Sequence, residues 1–84
     1  MFKNGRIMED VILFIDENRE SEKALAYLQA HGVKFKVIDV RKNGIRGWLL
    51  LEFGSSKAPI LVTSKNIIYG FENIINFIKN ISVS

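Results

Sequence analysis

The 84-residue chain contains no cysteine. A thiolate is the working group of thiol–disulfide exchange, so that chemistry is excluded, and so is any disulfide staple. Histidine, proline and tryptophan each occur once, as His31, Pro59 and Trp48. A single histidine without cysteines gives no set of metal ligands, and neither a metal nor a cofactor is expected. The longest apolar runs, 11–15 and 48–51, are far short of the roughly 18 residues of a membrane span. The first six residues lack the apolar core of a secretory signal. The expectation is a soluble cytoplasmic protein. The net charge is +3, yet the longest basic run is Arg41-Lys42 and the cations are mixed with Asp and Glu. Phosphate binding draws on single-sign patches, so nucleic acid is disfavoured as a partner.

What is present is a small, apolar, isoleucine-rich chain, 48% hydrophobic, without repeats or linkers. Its length bounds it to one domain. Residues 1–9 read as a short N-terminal arm, and 10–84 as a single domain. Residues 10–15 form a β-branched and aromatic run, a central strand covered on both faces. Asp16-Glu17-Asn18 then turns the chain and supplies a helix cap. Residues 21–31 read as a helix with Ala24, Leu25 and Leu28 on one face and Gly32 as a left-handed stop. A second strand over 34–40 follows. Next come a short helix over Ile45–Phe53, a third strand over 60–63 and a fourth over 66–69. Phe71, Ile74, Ile75, Ile78 and Ile81 recur at helical spacing and predict the last helix. The order β-α-β-α-β-β-α, with right-handed crossovers first and a hairpin last, predicts an α/β four-stranded mixed sheet with helices on both faces. The inward positions are Phe14, Leu25, Leu28, Val37, Ile60, Val62, Ile74 and Ile78.

Four stretches resemble the glutaredoxin branch of the thioredoxin-fold superfamily. Ser21-Glu-Lys-Ala-Leu-Ala-Tyr-Leu28 is similar to the family's helix from its second active-site cysteine onward. Gly32-Val-Lys-Phe-Lys-Val-Ile-Asp-Val40 resembles its second strand. Lys57-Ala58-Pro59-Ile60 stands where the family carries a cis proline. Ile68-Tyr69-Gly70-Phe71-Glu72-Asn73 resembles the start of its last helix. The resemblance implies a thioredoxin-like (glutaredoxin-type) fold with Pro59 in cis. It also implies a ligand groove at Ala58, Pro59, Gly70, Phe71 and Glu72. On the same alignment the family's Cys-x-x-Cys becomes Asn18-Arg19-Glu20-Ser21, a degenerate active site. The loop before it is about one residue short. The family's basic residue ahead of the motif falls at Asp16 or Glu17, which inverts a charge of the glutathione site.

No catalytic residue follows from the sequence. Ser21 needs a neighbouring base, and His31 lies about 15 Å further along the same helix at 1.5 Å per residue. Ser21 reads as a helix-capping or first-turn residue and His31 as a C-terminal capping residue. The apolar 48–53 stretch serves either a small core or a partner surface. The leading expectation is a redox-inactive glutaredoxin-like binding module that docks a peptide, a protein partner or a second copy of itself. The alternative is an enzyme using a thiol cosubstrate such as glutathione, with Asn18 or Ser21 orienting the thiolate. No thiol–disulfide oxidoreductase activity is expected in either case.

Overall fold

A computed structural model of the chain describes residues 11–82. The arm over 1–9, Asp10 and the side chain of Ile81 lie outside the described residues. Strand β1 (Ile12–Ile15) is followed by helix α1 (Arg19–Ala30) and strand β2 (Lys36–Asp39). Helix α2 (Ile45–Phe53), strands β3 (Ile60–Val62) and β4 (Ile67–Tyr69), and helix α3 (Phe71–Ser82) complete the order. The sheet runs β2-β1-β3-β4. β1 pairs parallel with β2 and antiparallel with β3, and β3 pairs antiparallel with β4.

The central position of β1 explains its unbroken apolar sequence. Successive side chains of a strand point to opposite faces, and both faces here are covered. Leu13 packs with Leu61 beneath Ala24 and Leu28 of α1 and Ile74 and Ile78 of α3. Phe14 packs with Ile60 and Val40 beneath Leu49 of α2. The sheet is therefore sandwiched, with α1 and α3 on one side and α2 on the other.

Of the expected core positions, Phe14, Leu28, Ile60, Ile74 and Ile78 are buried. Leu25 and Val62 are partly buried against the clusters. Val37 is a correction: it is 45% exposed. Its register partner is Leu13, so it shares the α1 face, but β2 is the outermost strand and the helices sit over its inner neighbours. Val40, just past the end of β2, is buried instead.

Helix α1 starts two residues before the expected Ser21, because the N-cap is Asn18. At its other end Gly32 adopts φ 69°. Its N–H donates to the Gln29 carbonyl, and the Val33 N–H donates to that of Leu28. These two bonds form a Schellman stop, whose left-handed residue is normally glycine. Strand β3 ends at Val62 because Thr63 opens the hairpin turn. Its Oγ1 accepts from the N–H groups of Lys65 and Asn66, at 3.2 and 3.0 Å.

Candidate functional site

The Asn18-Arg19-Glu20-Ser21 segment lies at the C-terminal end of β1, where the chain turns into α1. Asn18 has the extended backbone of a helix cap (φ −149°, ψ 164°), and its Oδ1 accepts from the Ser21 N–H at 2.7 Å. Ser21 is 1% exposed, and its Oγ accepts from the Asp16 N–H at 3.0 Å. The Asn18 side chain thus satisfies a backbone donor that the helix start leaves orphaned, and the Ser21 hydroxyl ties the turn at Asp16 to the first turn of the helix. The Asn18 Nδ2 reaches further and donates to the Ala58 carbonyl at 3.3 Å. Arg19 and Glu20 are exposed in the first helical turn.

The second element is the loop into β3. The Ala58–Pro59 peptide bond is cis, and both residues are buried. The Pro59 carbonyl accepts from the Gly70 N–H at 3.0 Å, which ties the start of β3 to the end of β4. The Ala58 carbonyl is taken by Asn18. The Ala58 N–H meets no acceptor among the described residues. Gly70 has φ 89°, a conformation that favours glycine, and there the chain turns from β4 directly into α3.

Between these elements is an open depression of about 530 Å³, lined by Glu20, Phe53, Gly54, Lys57, Ala58 and Tyr69 among others. Tyr69 Oη donates to the Phe53 carbonyl at 2.9 Å, which fixes the end of α2 against β4 and forms one wall. A second depression, of about 410 Å³, adjoins it across Glu20 and Gly70 and includes Lys23, Phe71, Glu72 and Asn73. Of the expected groove residues, Ala58 and Gly70 line the first depression, and Gly70, Phe71 and Glu72 line the second. Pro59 lies beneath the surface. Both signs of charge border the pair, Glu20 and Glu72 together with Lys57 and Lys23.

The acidic pair ahead of the motif is engaged. Arg46 makes a two-pronged contact with Asp16, at 2.7 and 3.2 Å. Arg41 bridges Glu17 at 3.0 Å and Asp39 at 2.6 Å. Hydrogen bonding from the Arg46 guanidinium, with help from the Glu17 N–H, lowers the Asp16 carboxyl from its ordinary value. Asp39 is held down to about 2, first by the Arg41 side chain and then by the Arg41 backbone N–H. Sequence reading found the acids but missed their partners. The available signal was the convergence of the C-terminal ends of β1 and β2 with the start of α2, which brings Asp16, Asp39, Arg41 and Arg46 to one edge.

His31 is remote from this site. Its ring stacks on Tyr27 with centroids 4.1 Å apart, and its Nδ1 lies 3.0 Å from the Tyr27 carbonyl, which requires that nitrogen to donate. No three acidic or histidine side chains among the described residues are grouped to hold a metal. No helix among them is long and apolar enough to cross a membrane.

Neither a family model nor a curated protein matches the chain. Solved structures do. The crystal structure of the thioredoxin-like protein BC3987, solved as a point mutant, superposes with a TM-score of 0.72 at 19% identity. It covers 84% of this chain and 96% of that one. The fold is thioredoxin-like. A glutaredoxin from Archaeoglobus fulgidus superposes at 0.67 with 21% identity, over 86% of this chain and 88% of its own. At these identities the likeness fixes the architecture alone. This thioredoxin-like chain has no thiol; Asn18 caps α1, and Ser21 accepts from the Asp16 N–H.

Proposed function

We propose that this chain is a redox-inactive, thioredoxin-like binding module. It docks an extended peptide or protein segment in the depression between Ala58 and Gly70. The observation that carries the reading is the open depression walled by Phe53 and Tyr69 and lined by Ala58, whose N–H has no acceptor among the described residues. A main-chain carbonyl accepting from that N–H would seat an extended segment as one more strand does at a sheet edge. Phe53 and Tyr69 offer apolar surface to one of its side chains. Glu20 and Lys57 set opposite charges at the rim, which favours segments carrying both signs over strongly acidic or basic ones.

The use of a thiol cosubstrate is less well supported. An enzyme of that kind needs a free polar group to orient a thiolate. Asn18 spends Oδ1 and Nδ2 on backbone partners, and Ser21 Oγ is buried on the Asp16 N–H. The test is selection from displayed random hexapeptides on the immobilised full chain. Enriched sequences should bind the wild type and lose at least about tenfold in affinity on Tyr69→Ala. Enrichment of nothing, or of sequences indifferent to Tyr69, overturns the reading.

A further inference from the structure

Helix α2 presents an apolar face that the described residues leave uncovered. Leu49 is fully buried against the sheet. At 3.6 residues per turn, the positions two before and two after it point the opposite way. Those positions are Gly47 and Leu51. Leu51 is 87% exposed, and the flanking Leu50 and Trp48 are 53% and 46% exposed. Glycine is among the weakest helix formers, and nothing among the described residues calls for one at 47. Its φ is not left-handed, and a Cβ built there meets nothing within 4 Å. A side chain is absent where there is open space for one, beside a leucine that projects into solvent.

We infer that this face docks a second copy of the chain through antiparallel α2 helices. Gly47 and Leu51 are equidistant from Leu49. A two-fold axis perpendicular to both helices at the level of Leu49 therefore sets each Leu51 over the partner's Gly47. The leucine enters the gap left by the missing Cβ, as a knob enters a hole, and does so twice. The interface is isologous. Trp48 closes one flank and Leu50 the other. Charge does not oppose the pairing. Gly47, Trp48, Leu50 and Leu51 are all uncharged, and Arg46 is turned to Asp16 of its own chain. Four residues form the face, against about 20–30 a side in a standard interface, so the dimer is reversible and dissociates on dilution. The inference does not rest on the peptide depression.

Sedimentation equilibrium on the full chain tests it, over concentrations from about 10 μM to about 1 mM. The wild type should pass from monomer to dimer across that range. Leu51→Lys should remain monomeric with an unchanged far-ultraviolet circular dichroism spectrum, since the side chain is almost wholly exposed. Gly47→Ala separates the inference from a generic sticky patch. It should raise the thermal midpoint of the monomer, as alanine favours the helix, while weakening the dimer at least about tenfold. A wild type that stays monomeric throughout overturns the inference. So does a dimer indifferent to Leu51→Lys, or one that Gly47→Ala leaves equally tight.

Discussion

The Asn18 amide bridges two segments forty residues apart: its Oδ1 caps α1 at Ser21, and its Nδ2 donates to the Ala58 carbonyl at 3.3 Å. One side chain thus closes a helix start and pins the loop that floors the depression. A thiol at the same position would do neither as well, being a weak donor and a weak acceptor.

Replacing Asn18 separates the two tasks. Asn18→Ala removes both and should cost about 1 kcal/mol, the usual loss for an N-cap. Asn18→Asp keeps an acceptor for the Ser21 N–H and adds an anion at the helix N-terminus, but it cannot donate to Ala58. It should be at least as stable as Asn18→Ala while losing the loop tie. Denaturant unfolding gives the stabilities, and hydrogen exchange in the 55–58 loop reports the tie.

Core truncations should follow the observed burial. Leu28→Ala and Ile78→Ala each empty a site enclosed by α1, α3 and the sheet and should cost roughly 2–5 kcal/mol. Val37→Ala, on the exposed edge strand, should change stability by less than about 0.5 kcal/mol. Urea titrations of the three variants decide between this core and the one read from periodicity alone.

That contrast marks where the sequence was legible. The element order followed from alternation and helical spacing, because each apolar residue in so short a chain must serve a face. Central β1 was plain from Ile12–Ile15, which is apolar without interruption. Val37 misled because periodicity reports which face a residue occupies, not whether a helix lies above it at the sheet edge. Asn18 was legible as a cap and Ser21 as a first-turn residue, but the Asn18–Ala58 bond spans forty residues and has no local signature. The Arg46–Asp16 and Arg41–Glu17 pairs were hidden for the same reason.

Acid should weaken the fold through Asp39 and Asp16. Arg41 holds the Asp39 carboxyl below its ordinary value of 3.8, at about 2, and Arg46 lowers that of Asp16. A carboxyl depressed on folding contributes stability above its unfolded value, and that contribution is lost as pH falls through the folded one. The stability gap between wild type and Arg41→Gln should therefore be constant above about pH 5 and close between about pH 4 and pH 2. The pairs are exposed, so the gap is small and shrinks further in high salt. Thermal melts across pH check it, and a gap that opens on acidification would contradict the assignment.

The pure wild-type chain should show no turnover in a disulfide-reduction assay, since it has no thiol to oxidise. The double variant Asn18→Cys, Ser21→Cys should close a reversible disulfide across the first turn of α1, as two positions three apart can meet the required geometry. Mass spectrometry before and after reduction measures it. Failure to close would count against matching these positions to a Cys-x-x-Cys motif.

The central claim is that the depression beside Ala58 takes an extended peptide. Amide-resolved nuclear magnetic resonance of the full chain tests it most directly, with titration first by a short peptide from the hexapeptide selection and then by glutathione. The account predicts saturable shifts from the peptide at Ala58, Gly54 and Gly70, with the Ala58 N–H moving as a newly formed hydrogen bond requires. Glutathione at the same concentrations should leave these amides in place. Saturable shifts from glutathione at Ala58 and Gly70, with none from the peptide, would contradict it.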